Sequence, residues 1–380
     1  MIYLDNAAST WPKPEGVIRA VTECLEEAGA NPGRSGHRMA ARASRILGDA
    51  RRELASLFGI RDPNNILFFA NATQAINQAL KGFLQPGDHV VTTGWEHNAV
   101  ARPLEAMRRE GRIGVTVIPA SPGGAVDPAE VERAIQRETR LIVATHGSNV
   151  TGAVMPVEEI GALARKRGVR FLVDAAQTAG NLPIDVETMG IDMLAFPGHK
   201  GLYGPQGTGG LYVNPEVSLS PLIQGGTGSR SEQLEHPRGR PEGFESGTPN
   251  TPGIAGLAAG VRFVRETGIQ KIHRKEMHMA ETLRSALSEM EGIAVYTPQG
   301  SRLPVVAFNL EGLDSLEVAA ILDTHYDIAV RAGFHCAALA HRSLGTESTG
   351  AVRASFGYFN READVDALLA ALQEIRKFFH

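Results

Sequence analysis

The feature that most constrains the fold is a repeated alternation of short apolar runs with helical patterns. Helix signals separate the runs, as in "PVEEIGALARKRG" (156–168), which has Pro first and Gly last. Continuous apolar strands between helices predict a parallel sheet that is covered on both faces. The runs are "NILFFA" (65–70), "HVVTT" (89–93), "RLIVAT" (140–145), "RFLVDAA" (170–176) and "IDMLAFP" (191–197).

The C-terminal third of the chain has a different pattern. Helical patterns precede "RLPVVAFNL", "YDIAVRAG" and "GAVRASFGYF", and a last helical pattern ends the chain. This order predicts a smaller α/β domain. We expect a large domain over 15–252 and a small domain built from 1–14 and 253–380. Residues 224–252 are rich in Gly, Pro and charge, which predicts an irregular functional segment or a mobile loop.

Composition excludes several classes of protein. The net charge of −4 over 380 residues gives no electrostatic reason to expect nucleic acid or an anionic membrane as a partner. We find no apolar run of about 20 residues that could span a bilayer. The N-terminal "MIYLDNAAST" does not have the pattern of a secretory signal. Two cysteines, Cys24 and Cys336, argue against a disulfide framework and favour a cytoplasmic protein.

Chemically versatile side chains follow each predicted strand of the large sheet. In an open parallel sheet, ligands bind beyond the carboxyl ends of the strands, so we expect these residues to share one edge. The set contains an amine, carboxylates, imidazoles, amides and a helix N-terminus. Its members are Asn71, Ala72, Thr73, Trp95, Glu96, His97, Asn98, His146, Gly147, Ser148, Asn149, Asp174, Gln177, His199 and Lys200.

This set suits pyridoxal phosphate. A lysine amine can form a Schiff base, and a carboxylate can keep the pyridine nitrogen protonated. An imidazole can stack on the ring, and a helix N-terminus can hold the phosphate. Each residue taken singly also fits an ordinary structural role: Asp174 as a helix cap, His97 as a structural histidine, Lys200 as a surface lysine. Their joint placement carries the hypothesis.

The sequence resembles the class V aminotransferase superfamily of fold-type I pyridoxal-phosphate enzymes, and within it the cysteine desulfurases and selenocysteine lyases. The resemblance implies a large cofactor-binding domain with a mostly parallel, seven-stranded sheet, a smaller α/β domain and a homodimer. The matching stretches are "YLDNAAST", "NATQAIN", "WEHNAV", "HGSNVTG", "VDAAQTAG", "GHKGLYGPQGTGGLYV", "ESGTPNTPGIAGL", "VRAGFHCA" and "AVRASFGYFN".

The resemblance assigns roles to individual residues. Lys200 would be the Schiff-base lysine, Asp174 the partner of the pyridinium nitrogen and Gln177 that of the phenolic oxygen. His97 would stack on the ring and move protons. The phosphate would be held by Ala72, Thr73, His199 and, from the neighbouring subunit, Thr248. The substrate would be bound by Asn149, Arg353 and Arg331, and Asn149 would also contact the cofactor. Guanidinium and carboxylate groups pair in a bidentate geometry.

The reaction type depends on Cys336. The stretch "RAGFHCA" resembles the active-cysteine loop of the second desulfurase group, in which the thiolate takes sulfur from L-cysteine as a persulfide and L-alanine leaves. The nucleophile is a thiolate, so the loop must lower the pKa of the thiol or supply a base. The local candidates for this are Arg331 and His335. By contrast, Cys24 lies within a helical pattern, where a small buried hydrophobe is expected. A protein or thiol would accept the sulfur.

Other functions remain open at this stage. Selenocysteine lyase would use the same residues on L-selenocysteine, whereas an aminotransferase or another C–S lyase would not need Cys336. A metal-binding module is a further alternative, with His335, Cys336 and His341 as ligands. Two positions depart from the family pattern: Phe334 and Pro197 stand where the family commonly has histidine and serine.

Overall fold

The structure, a computed structural model, describes residues 1–33, 36–121, 124–230 and 232–379. Its strands are β1 (Ile2–Tyr3), β2 (Ile66–Phe69), β3 (His89–Thr93), β4 (Gly114–Ile118), β5 (Thr139–Thr145), β6 (Arg170–Asp174), β7 (Met193–Pro197), β8 (Gly209–Val213), β9 (Ile293–Tyr296), β10 (Val305–Leu310), β11 (Ile328–Ala329) and β12 (Val352–Ser355). Its helices are α1 (Glu15–Glu27), α2 (Arg38–Phe58), α3 (Ala72–Phe83), α4 (Asn98–Arg109), α5 (Pro128–Ala134), α6 (Val157–Arg167), α7 (Thr251–Thr267), α8 (Ile269–Ser288), α9 (Ser315–Tyr326), α10 (Ala338–Leu344) and α11 (Glu362–Phe379).

Seven strands of the described ranges form one large sheet, in the order β2-β8-β7-β6-β5-β3-β4. Strands β3 to β7 run parallel, and β8 lies antiparallel between β2 and β7. The predicted α/β class is therefore confirmed, as are all five predicted strands. No helix in the described part of the chain is long and apolar enough to cross a membrane.

Both faces of the large sheet are buried. Successive side chains of a strand point to opposite faces, and in β5 this places Leu141 and Val143 in one apolar core and Ile142 and Ala144 in the other. All four are at most 1% exposed. A central strand such as β5 therefore needs apolar residues at successive positions, which is why it stands out in the sequence as a continuous run.

Two helices begin at the carboxyl edge of this sheet. Helix α3 starts after Asn71, whose side chain accepts a hydrogen bond from the Gln74 amide at 2.9 Å. Helix α4 starts after His97, whose ring accepts one from the Ala99 amide at 3.0 Å. Short polar side chains satisfy amides that a helix N-terminus would otherwise leave free. Because α3 and α4 directly follow β2 and β3 at this edge, both N-termini face the region in which the sequence predicts a site.

The C-terminal part forms a second core. Strands β12, β10 and β9 make an antiparallel sheet that packs with α8, α9 and α11, and Leu4 from the N-terminal segment joins this core. Strand β1 pairs in parallel with β11. Helix α7, which begins one residue before the predicted boundary at 252, places Ile254 and Leu257 in a core of the large sheet. The boundary itself stays a prediction.

The segment 224–252 is irregular, as predicted from its composition, although Ser231 lies outside the described residues. Over its described part, the structure shows one short 3-10 turn, Glu242–Phe244. The Arg240 side chain donates to the carbonyl oxygens of Val213 (3.0 Å) and Asn214 (3.1 Å), which anchors the segment to the end of β8.

Close helix packing predicts opposite effects for two glycine substitutions. In α6, a Cβ added at Gly161 would overlap the Met189 carbonyl oxygen. We expect Gly161→Ala to lower the free energy of unfolding by about 1–3 kcal/mol. Gly48→Ala in α2 is the matched control, because the nearest atom, at 3.4 Å, belongs to the flexible Arg52 side chain. It should raise stability by about 0.5–1 kcal/mol. Denaturant unfolding measures both, and a stabilised Gly161→Ala variant would contradict this packing.

Candidate active site

The carboxyl ends of three neighbouring strands bring the central residues together. Thr145 at the end of β5 is paired with Asp174 at the end of β6, and Asp174 is paired with Ala195 in β7. The polypeptide then leaves each strand in the same direction, toward His146, Gln177 and Lys200. The single edge expected from the sequence is therefore present.

Lys200 and Asp174 influence each other electrostatically. Burial lowers the pKa of Lys200 to about 8, and the negative charge of Asp174 opposes this shift. Asp174 is 2% exposed, and burial raises its pKa, while the Ala176 amide donates to its Oδ1 at 2.9 Å. A buried carboxylate is stable when a cation lies against it. Asp174 is thus suited to face a cationic ring nitrogen.

His97 is held as a neutral imidazole. Its Nδ1 accepts the Ala99 amide, so the single proton of the neutral ring is on Nε2. Burial lowers the pKa of His97 to about 4, and the positive charges of Lys200 and Arg331 lower it further. A neutral, oriented ring beside Lys200 can stack on a planar cofactor.

The opposite end of the site can hold an anion. Ala72 and Thr73 form the first turn of the 12-residue helix α3, which has no acidic side chain in that turn. His199 Nδ1 is buried and has no hydrogen-bond partner among the described residues. Burial lowers the pKa of His199 to about 4. A helix N-terminus and an orphaned ring nitrogen are each suited to the phosphate of pyridoxal phosphate.

The side-chain amides of Gln177 and Asn149 donate hydrogen bonds to backbone carbonyls. Gln177 Nε2 donates to the Ala7 carbonyl at 3.1 Å. Asn149, which is 7% exposed, donates from Nδ2 to the His335 carbonyl at 2.7 Å. The amide expected to bind substrate thus contacts the segment that carries Cys336.

Arg353 is completely buried on the neighbouring small sheet. Its Nη2 lies 2.7 Å from Asp5 Oδ1, and its Nη1 donates to the Asn149 carbonyl at 2.8 Å. Its Nε finds no partner in the described ranges. The guanidinium is therefore fixed in orientation and keeps a free N–H group.

Cys336 is exposed, whereas Cys24 is 3% exposed and packs in a small apolar cluster, as predicted. The Cys336 carbonyl accepts the Asn98 amide at 2.7 Å, which brings the cysteine next to His97. Arg331 Nη2 lies 3.9 Å from the Cys336 sulfur. His335 is buried and donates from Nε2 to the Ala351 carbonyl at 3.0 Å, and burial with the Arg353 charge lowers its pKa far below the ordinary value.

Thr248 lies apart from this group. It is exposed and lines a surface groove together with Ala70, Gln74 and Gly207. This single chain does not bring Thr248 to Lys200, so its expected role across a subunit interface stays a prediction.

Two residues beside the site, Asp5 and Lys13, were missed as members, whereas Glu96 was included in the expected set without a role. Asp5 pairs with Arg353. Lys13 donates to the His199 carbonyl at 2.9 Å, and burial lowers its pKa to about 8. Glu96 is fully buried, accepts the Thr145 amide at 2.9 Å, and its pKa is raised to about 8 by burial. Asp5 lies in the matching stretch "YLDNAAST", which was the available signal.

The geometry contradicts the metal-site alternative. His335 bonds to the Ala351 carbonyl, and His341 Nδ1 lies 2.8 Å from the Thr346 hydroxyl. The structure contains, over its described ranges, no group of three or more His, Cys, Asp or Glu residues that could hold a metal ion.

Comparison with known proteins points in one direction. The model of the class-V aminotransferase family matches residues 2–368. A probable cysteine desulfurase of Methanothermobacter thermautotrophicus is 40% identical over 98% of this chain and 94% of its own. A cysteine desulfurase structure from Thermococcus onnurineus has a TM-score of 0.92 at 34% identity, covering 99% of this chain and 94% of its own. One from Escherichia coli has a TM-score of 0.90 at 30% identity, covering 100% and 95%.

The pair of half-buried Asp5 with buried Arg353 generates a stability prediction. Removing one partner leaves the other charge buried without compensation, so Asp5→Asn should lower the free energy of unfolding by about 2–4 kcal/mol. Asp49→Asn is the control, since Asp49 pairs with Arg52 in solvent and should contribute about 0–1 kcal/mol. Urea denaturation of the two variants measures the difference. Equal losses in the free energy of unfolding would show that the pair of Asp5 and Arg353 stabilises the fold no more than an exposed pair does.

Proposed function

This chain belongs to the class-V aminotransferase family, and we propose that it is a cysteine desulfurase that converts L-cysteine to L-alanine and retains the sulfur on Cys336. The family resemblance, the fold-type I class and pyridoxal phosphate as cofactor are confirmed by the family match and the similar structures. The observation that carries the proposal is the hydrogen bond between Asn98 and Cys336, which holds an exposed cysteine beside His97.

The residues of the site divide into a cofactor set and a substrate set. Lys200 would bind the cofactor covalently, Asp174 would pair with its ring nitrogen, and His97 would stack on the ring. When bound, pyridoxal phosphate supplies an electron sink for bonds that break at the substrate. The phosphate would be held by Ala72, Thr73 and His199, with Gln177 toward the phenolic oxygen.

Arg353 is suited to bind the substrate carboxylate. Asp5 and the Asn149 carbonyl fix its guanidinium from two sides, so the group is oriented before a substrate arrives. Orientation in advance lowers the entropy that is lost on binding. Arg331 adds a second positive charge nearby, and Asn149 would contribute an amide.

The Cys336 thiolate would attack the sulfur of the bound substrate. A sulfur–sulfur bond forms as the carbon–sulfur bond of the substrate breaks, and the electron pair of that bond stays with the carbon. The carbon then takes a proton and leaves as L-alanine. A free Lys200 amine with a pKa of about 8 can exchange protons near neutral pH, which suits it to this transfer.

Several finer features belong to the same proposal. We place the enzyme in the cytoplasm, as a homodimer in which Thr248 of one subunit completes the phosphate site of the other. A thiol or a protein would accept the sulfur at the exposed Cys336. Cys336 also distinguishes this activity from transamination, which does not require a nucleophile at that position. Selenocysteine lyase remains the alternative activity for the same residues.

Covalent cofactor attachment tests the assignment of Lys200. Borohydride reduction of the purified protein should fix the cofactor on the peptide that contains Lys200, and Lys200→Ala should lose this adduct. In cofactor-free protein, attachment requires the neutral amine, so its rate should rise with pH and level off above about pH 8. Lys13→Ala is the matched control, because Lys13 also has a lowered pKa of about 8. Trapping on Lys13 in the wild type would refute the assignment.

Sulfur transfer tests the proposed function itself. After a short incubation with L-cysteine, the wild-type peptide that contains Cys336 should be heavier by one sulfur. Cys336→Ser should keep the cofactor yet form alanine at least roughly a hundredfold more slowly, because a hydroxyl is a far weaker nucleophile than a thiolate. Cys24→Ser should behave like the wild type. Added sulfur on Cys24, or undiminished alanine formation by Cys336→Ser, would disprove the proposal.

A further inference from the structure

The turn that carries Cys336 has an unusual backbone. It spans Phe334 to Ala337 and is closed by a hydrogen bond from the Ala337 amide to the Phe334 carbonyl at 2.9 Å. Both central residues are left-handed, with φ of 48° at His335 and 57° at Cys336. Two consecutive positive φ values are typical of the type I′ turn, in which Gly, Asn and Asp predominate.

His and Cys do not favour this backbone by themselves. Outside glycine, the left-handed conformation brings Cβ close to the following carbonyl oxygen and is sparsely populated. Such residues persist where surrounding contacts over-determine them, and these contacts are often found at functional sites. The contacts that fix the turn must therefore come from outside it.

Three hydrogen bonds anchor the two left-handed residues. The His335 ring bonds to the Ala351 carbonyl at 3.0 Å within the small sheet region. The Asn98 backbone amide donates to the Cys336 carbonyl at 2.7 Å. Asn149 Nδ2 donates to the His335 carbonyl at 2.7 Å. The last anchor is made by a side chain from the loop that follows β5.

Asn149 is itself held in place. It is buried, and its carbonyl accepts Arg353 Nη1 at 2.8 Å, while Arg353 is paired with Asp5. Asn149 thus connects the guanidinium expected to bind the substrate carboxylate with the turn that presents the nucleophile.

We propose that Asn149 is a positioning residue for Cys336: the side-chain amide of Asn149 keeps the left-handed turn against the loop that follows β5 and so sets the place of the thiol. This role differs from the substrate and cofactor contacts expected for Asn149 from the family resemblance. It rests on the proposed function, because it matters for catalysis only where Cys336 is the nucleophile.

Hydrogen exchange in the substrate-free holoenzyme tests this role directly. In Asn149→Ala, the amide of Ala337 should exchange roughly three- to tenfold faster, as expected when one hydrogen bond that opposes local opening is lost. A role confined to the substrate carboxylate would leave this rate unchanged. At saturating L-cysteine, sulfur should also appear on Cys336 at least roughly tenfold more slowly.

The control variant is Gln78→Ala, because the buried Gln78 side chain also donates from Nε2 to a backbone carbonyl, that of Ser220, at 2.7 Å. It should leave the Ala337 rate unchanged, and in both variants the amides around buried Cys24 should keep their wild-type rates. An unchanged Ala337 rate in Asn149→Ala, an equal rise in Gln78→Ala, or a rise that extends to Cys24 would overturn the positioning role. Wild-type protein that never carries sulfur on Cys336 would instead overturn the proposed function, whatever the exchange rates.

Discussion

The buried guanidinium of Arg353 is the constraint on which the arrangement of the site depends. A charge that is removed from water is stable only when it is paired and hydrogen-bonded. Arg353 meets this requirement through Asp5, near the N-terminus, and the Asn149 carbonyl, in the loop after β5, while its backbone exchanges hydrogen bonds with Arg331. Three segments that are distant in sequence must therefore meet at one point. The small sheet can satisfy its own buried charge only when it is docked against the carboxyl edge of the large sheet.

The same edge is organised to receive negative charge. Burial lowers the pKa values of His97, His146 and His199 to about 4 each, so these rings are neutral at neutral pH. The positive charge there comes instead from Arg331, from Arg353, whose guanidinium is held by two hydrogen bonds, and from Lys200 when it is protonated. Neutral imidazoles can stack or hydrogen-bond without adding repulsion between cations. In the proposed function, a phosphate and a substrate carboxylate would bind at separate places, each near its own donors.

Much of this arrangement follows from local sequence, and the exceptions have physical causes. Five strands are buried on both faces and stand out as apolar runs, and the strand-end rule then places Asp174 and Lys200 together. Strand β4 was missed because it lies at the sheet edge and has exposed positions. Strand β8 was also missed, because it begins with two glycines instead of an apolar run. Glycine is needed at position 210, where a Cβ would lie 2.5 Å from the Phe196 ring. Asp5 could not be predicted as a partner of Arg353, because their contact depends on how the two sheets dock.

Cys336 differs from the other members of the site in the element that carries it. Residues at the ends of buried strands are held rigidly but are enclosed, which suits Asp174. In the proposed reaction, a persulfide would form beside the substrate and then be reached by an acceptor, so its cysteine would need both a fixed position and exposure. A strand end cannot provide both, whereas a turn of the small domain can, provided that anchors replace the rigidity of a strand. The left-handed backbone of His335 and Cys336, exposed at the thiol and hydrogen-bonded at both carbonyls, satisfies these two requirements together.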